Sequence, residues 1–95
     1  MISRTLAADL PGMTGQQATI AGWLHRKRQL KSMTFLIVRD RTGLAQAVLT
    51  EPAAIAAAAQ LPEETVLEVS GQVTAAPQAP GGAELTSPVI TALSG

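Results

Sequence analysis

The chain has 95 residues, 46% of them apolar, with two aromatics (Trp23 and Phe35), one histidine, no cysteine and a formal net charge of zero. That length accommodates one domain over 1–95, and the cysteine and histidine counts exclude disulfides, thiol catalysis and a zinc site built from those residues. The N-terminus lacks the apolar core of a secretory signal and the longest apolar run, Ala53–Ala59, is too short to span a bilayer, so a cytoplasmic setting without a membrane partner is expected.

The neutral total hides a segregation of charge. Residues 1–48 hold all seven cations against two acids, whereas residues 49–95 hold five acids and no cation. Two arrangements fit: a basic face for an anionic partner with an acidic face turned away, or two halves that fold together and cancel.

In chain order, residues 1–15 form a lead-in, where Leu6–Leu10 can make one helical turn stopped by Pro11-Gly12. From Gln17 to Arg28 the residues alternate, with Ala18, Ile20, Gly22 and Leu24 on one face and Thr19, Ala21, Trp23 and His25 on the other, the pattern of a half-buried strand. Gly22 inside it marks a bulge or a bend. The strand ends in Arg26-Lys27-Arg28, and Lys31 follows in a short connection, Gln29–Ser32, that makes the next strand antiparallel. Strand two spans Met33–Arg39. Asp40-Arg41-Thr42-Gly43 is a tight turn, in which Gly43 supplies a positive φ and Asp40 accepts from nearby backbone N–H groups. Strand three is Leu44–Leu49, with Gln46 its one strongly polar residue.

The period then changes. Thr50-Glu51-Pro52 opens a helix, with a capping side chain and Pro in the first turn. Ala53–Gln60 continues it, Ile55 and Ala59 facing the core with Leu61 close by, and Pro62 ends it. Strand four is Val66–Thr74, with Leu67, Val69, Gly71 and Val73 inward. A loop of small residues, Ala75–Gly82, leads to a last strand over Ala83–Thr86 and Val89–Leu93, which Pro88 makes an edge or a broken strand. Three meandering strands, a helix and two more strands is the order of an all-β, five-stranded Greek-key OB-fold barrel with one helix between strands three and four. A generic α+β sandwich and an SH3-like barrel are the alternatives, and the helix position favours the OB-fold.

The residues argue against chemistry and for binding. His25, the one histidine, stands beside three cations with no nucleophile near it, and Pro80-Gly81-Gly82 lacks the Lys and the following helix of a phosphate-binding loop. No cofactor is expected. Arg26, Lys27, Arg28 and Lys31 are four cations within six residues, which is either a solvated strand end or a phosphate-facing patch. Phe35 on the adjoining strand has the opposite parity to Leu36 and Val38, so it is either a core residue or an outward platform for a stacked base. Gln46 is either a solvent-facing polar residue or an amide that pairs with a base edge. Glu84, after the Gly-rich loop, is useful beside a phosphate chain only as an acceptor for base N–H groups.

Three stretches carry a resemblance. These are Gly22-Trp23-Leu24-His25-Arg26-x-Arg28, Phe35-Leu36-x-x-Arg39-Asp40-Arg41-Thr42-Gly43-x-x-Gln46, and Gly71-x-Val73 followed by Pro77-Gln78-Ala79-Pro80-Gly81-Gly82-x-Glu84. Over about residues 15–93 the chain resembles the N-terminal anticodon-binding domain of aspartyl-tRNA synthetases, of class IIb. Asparaginyl enzymes vary more after the Asp of the second stretch. The resemblance implies an OB-fold that grips the anticodon loop of tRNA. It implies that Phe35 stacks on the middle base, a uracil, and that Gln46 hydrogen-bonds it. Arg28 then contacts the bases or backbone of the loop, Arg26 the neighbouring backbone, and Glu84 the first base, a guanine.

The chain departs from the family pattern in two places. Arg28-Gln29-Leu30-Lys31 stands where Arg-Asp-Leu-Gly is usual, which adds the Lys31 cation, and Val48 stands where many bacterial members have an aromatic. The sequence is similar to the shorter, archaeal-type enzymes, and His25 with Pro80 resembles the pair in enzymes that accept both tRNA-Asp and tRNA-Asn. The catalytic module of the family is absent from these residues, so the chain is expected not to be an enzyme alone. It is either a piece of a ligase, with the catalytic domain and a second subunit as partners, or a free-standing paralogue. Two other functions remain in view: a protein-interaction module that docks through Trp23, Ile37 and Leu49, and a generic binder of single-stranded nucleic acid.

Overall fold

The structure is a computed structural model and describes residues 5–93. Strands β1 (Gln17–Gln29), β2 (Thr34–Asp40), β3 (Gly43–Leu49), β4 (Val66–Ala75) and β5 (Ala83–Ala92) close into a barrel in the order β1-β2-β3-β5-β4. Helix α1 (Pro52–Ala59) separates β3 from β4 in sequence. Neighbouring strands are antiparallel except β3 and β5, which run parallel at Gln46–Glu84, Ala47–Leu85 and Val48–Thr86. This is the OB-fold that the element order predicts.

The barrel interior is aliphatic because both aromatics lie elsewhere. Ile20 and Leu24 of β1, Leu36 and Val38 of β2, Leu49 of β3, Leu67, Val69 and Val73 of β4 and Leu85 of β5 are all buried. Each such side chain contributes roughly 1.5–3 kcal/mol by leaving water.

The two ends of the barrel are closed differently. At the β2–β3 turn end, residues Ala7–Met13 form a 3-10 helix that runs through Pro11 and buries Ala7 and Leu10. The expected stop at Pro11-Gly12 does not occur, because a short 3-10 piece puts few intrahelical bonds at stake when one N–H is missing. Asp40 fastens this helix to the turn. Its Oδ2 accepts the Ala7 N–H at 2.8 Å, while Oδ1 accepts the Thr42 N–H at 2.7 Å, the Thr42 hydroxyl at 2.6 Å and the Gly43 N–H at 3.2 Å. Burial pushes the carboxyl pKa up, but the Thr42 hydroxyl and the three N–H donors outweigh it, and the net shift is downward.

At the other end α1 packs Ala58 into the core, with Ala54, Ile55 and Leu61 against it. Ala59, expected inward, is exposed. The inward stripe starts at Ala54, so the residue one turn on is Ala58. Neither Thr50 nor Glu51 caps the helix with its side chain. Glu51 is the N-cap by backbone alone, its carbonyl accepting the Ile55 N–H at 2.9 Å, and Pro52 opens the first turn as expected.

β5 shows what Pro88 does. It pairs with β3 from Glu84 as far as Thr86 and no further, and its ladder with β4 shifts register between Ser70 and Gln72. Beyond that break Val89–Ala92 pairs with β4 alone, so the far half of β5 is a local edge of an otherwise closed barrel.

Candidate nucleic-acid interface

The decisive local feature is a bulge in β1. Trp23 pairs with Arg39 and Leu24 with Val38, then the register slips, so that Arg26 pairs with Ile37, Lys27 with Leu36 and Arg28 with Phe35. His25 is the extra residue. In an unbroken strand Arg26 and Arg28 would share the inward parity of Leu24, and the bulge transfers both to the outer surface, where they are exposed. The expected bulge at Gly22 is thus displaced by three residues. Gly22 answers a different demand: a Cβ there would stand 2.2 Å from the Arg39 carbonyl oxygen, so glycine is what lets β1 and β2 approach.

Once register is fixed, two cross-strand rows lie on one outer face. The first runs Arg28, Phe35, Val48, Thr86 across β1, β2, β3 and β5. The second runs Arg26, Ile37, Gln46, Glu84 across the same strands. The parity question over Phe35 is resolved: Thr34, Leu36 and Val38 point inward, and Phe35 is half-buried on the outside. The Arg28 guanidinium carbon lies 5.9 Å from the centre of the Phe35 ring, at the outer limit of a cation–π contact. Gln46 Nε2 donates to Glu84 Oε2 at 3.0 Å. Arg39, next outward along β2 from Ile37, adds an exposed cation to this face.

Of the predicted site residues, Arg26, Arg28, Phe35, Gln46 and Glu84 come together in these rows. The others stand at its margins. His25 is exposed at the bulge, Lys31 is exposed in the β1–β2 link, and Pro80 is half-buried at the start of a 3-10 turn (Pro80–Gly82) leading into β5. That turn is held against β3, since a Cβ on Gly81 would stand 2.3 Å from the Leu44 carbonyl oxygen. Lys27 separates from its basic neighbours: its Nζ donates to the Ala59 carbonyl at 3.1 Å and the Ala58 carbonyl at 3.5 Å, at the C-terminus of α1. It is a helix-end cation. Residues that sequence reasoning left out of the site are Ile37, Arg39 and Thr86. The motif spacing included Arg39, but Thr86 carries no sequence signal and enters only through its pairing with Val48.

The other expected contact residues change character. Leu49 is buried in the core and Ile37 is 7% exposed, so neither is an apolar dock. Trp23, the third residue of that expected dock, is 39% exposed. Among the described residues no group of three or more His, Cys, Asp or Glu side chains is placed to hold a metal.

An outward ring, cations and polar base-edge partners on β1–β3 of a small barrel form the ligand face of OB-folds. Residues 18–93 match the tRNA anti-codon family, described as an OB-fold nucleic acid binding domain. The chain belongs to this family. Within it, this anticodon-type OB domain is 42% identical over 81 residues to an aspartate–tRNA(Asp/Asn) ligase of Methanocorpusculum labreanum, a match covering 81% of the chain and 19% of the relative. It is 39% identical over 88 residues to an asparagine–tRNA ligase of Pelotomaculum thermopropionicum, covering 88% of the chain and 20% of the relative. Among solved structures, an asparaginyl-tRNA synthetase from Pyrococcus horikoshii complexed with asparaginyl-adenylate superposes with a TM-score of 0.87 at 30% identity, over 99% of the chain and 23% of that protein. An OBody bound to hen egg-white lysozyme superposes at 0.83 with 22% identity, over 100% of the chain and 98% of its own, a likeness of fold alone. The domain therefore spans about a fifth of the ligases it matches.

Proposed function

We propose that this domain binds the anticodon loop of tRNA-Asp, and of tRNA-Asn as well, as the tRNA-recognition part of an aspartyl- or aspartyl/asparaginyl-tRNA ligase. The observation that carries this reading is the outward Phe35 ring, with Arg28 over it and the Gln46–Glu84 pair in the adjacent row. A base stacks on the ring, the Gln46 amide meets its edge, and Arg26, Arg28 and Lys31 neutralise neighbouring phosphates. Glu84 accepts from the N–H groups of the first base, a guanine. That some relatives are named aspartate–tRNA(Asp/Asn) ligases and others asparagine–tRNA ligases supports acceptance of both tRNAs. Titration of the chain with a GUC anticodon stem-loop, with a stem-loop of unrelated anticodon and with oligo-dT tests the reading. Preference for GUC is expected, and equal binding of all three would make this a generic single-strand binder.

A second reading has its own observation. Trp23, Val66 and Leu93 are 39%, 41% and 47% exposed and lie along one cross-strand row, Trp23 paired with Val66 and the Leu93 N–H bonded to the Val66 carbonyl. This is an apolar strip that adjoins the anticodon face where Trp23 pairs with Arg39, suited to a partner domain or a second copy. Sedimentation of the chain at rising concentration tests for self-association, and Trp23→Ser should abolish any that is found.

A further inference from the structure

We infer that Glu84 also acts on the middle base, through Gln46, by fixing which way the Gln46 amide faces and so which pyrimidine this face accepts. The inference rests on the anticodon reading above. Gln46 and Glu84 are directly paired across the parallel β3–β5 contact, Gln46 is only 7% exposed, and the Nε2–Oε2 hydrogen bond is the one its side chain makes among the described residues.

An ionised carboxylate only accepts, so the amide must turn its nitrogen toward Glu84. The flipped amide would set its oxygen against a carboxylate oxygen in a partly buried position, where an unpaired polar contact is most unfavourable. The remaining groups of Gln46, one carbonyl oxygen and one N–H, are therefore presented in a single spatial order. Uracil and cytosine differ in that order. In the same pose uracil offers its N3–H donor beside its O4 acceptor, whereas cytosine offers an N3 acceptor beside an N4–H donor. A free amide flips to serve either base; a held amide serves one. Stacking on Phe35 fixes the pose, which is what gives the order meaning. Glu84 is thus a positioning residue for the middle base as well as a partner for the first.

The test titrates the wild-type chain, Glu84→Ala, Gln46→Ala and the double variant with stem-loops carrying uracil or cytosine at the middle position, and guanine or adenine at the first. The wild type is expected to prefer uracil about tenfold, near the lower end of what a two-point base contact discriminates. Glu84→Ala should bring that ratio close to the one shown by Gln46→Ala, and the double variant should lower it no further. If Glu84→Ala keeps the wild-type middle-base ratio and loses only the guanine preference, the inference is overturned while anticodon reading stands. A wild-type chain indifferent to both positions overturns both. A measurement on the unaltered protein covers the case of a variant that does not fold. One Gln46 side-chain amide proton should be displaced in the NMR spectrum and exchange slowly, unlike those of the exposed Gln72 and Gln78. Gln46 amide signals that match these two would overturn the inference.

Discussion

Phe35 stands half-buried on the outer side of β2, so truncating it removes a stacking surface without opening the aliphatic core. Phe35→Ala should weaken binding of a GUC stem-loop by roughly 1–3 kcal/mol, the range for base–aromatic stacking, with little change in the melting temperature. A large drop in melting temperature would instead assign the ring to the core. Asp40 makes the opposite kind of contribution, to the fold and not to the face. Its folded pKa lies below the ordinary value of 3.8, so the stabilisation it brings is complete above about that pH and is lost as the pH falls on toward the folded-state value. Asp40→Asn should lower the melting temperature at neutral pH, and the gap from wild type should narrow as the pH is taken below 3.8. A gap independent of pH would mean that the carboxylate charge is not what holds the Ala7 and Thr42 donors.

At the scale of elements, strand and helix identities were legible because the sequence changes period sharply at Thr50–Pro52, and alternation over Leu67–Val73 left one inward set. The outward position of Arg26 and Arg28 was not legible. It depends on a one-residue slip at His25, and β1 alternates in sequence as though no slip occurred. Phe35 was ambiguous for the same reason: parity defines two faces and says nothing of which is inside until cross-strand partners are known. Gly22 was visible as an exception, but its cause, the Arg39 carbonyl of the next strand, lies seventeen residues away by subtraction of their numbers. Gly22→Ala should therefore cost several kcal/mol, in the upper part of the range for overpacking of about 1–3 kcal/mol or beyond it, measured by chemical denaturation. A neutral effect would show that β1 and β2 can separate freely. Lys27, taken with its neighbours as part of a basic tip, turns its ammonium from β1 to the C-terminal carbonyls of α1. Lys27→Met keeps the stem and removes the charge, and should cost about 0.3–1 kcal/mol of stability while leaving RNA affinity nearly unchanged.

For the whole molecule, the 3-10 helix before β1 is part of the barrel, since Leu10 is 1% exposed. Leu10→Ala should cost about 2–5 kcal/mol, a large fraction of what a domain of this size commands. The neutral net charge conceals where the cations lie. Arg26, Arg28 and Arg39 stand on the face formed by β1 and β2, and Lys31 lies beside it. Of the acids, Glu51, Glu63, Glu64 and Glu68 lie between the start of α1 and the middle of β4, Asp9 and Asp40 lie at the 3-10 helix and the β2–β3 turn, and Glu84 is the one that joins the face. With three or so phosphates contacted, affinity for a stem-loop should fall with salt at a log–log slope of roughly −2, at about −0.7 per phosphate of a single strand. So shallow a slope leaves base contacts to carry the specificity.

The most direct test of that division of labour is a pair of titrations at one salt concentration, using the unaltered chain. One stem-loop carries GUC, and the other differs only in having cytosine at the middle position. A preference for GUC of about tenfold or more is predicted, the measure of a two-point contact to a stacked base. Equal affinities would contradict it, and would reduce the Phe35–Gln46–Glu84 face to a charged surface that holds RNA without reading it.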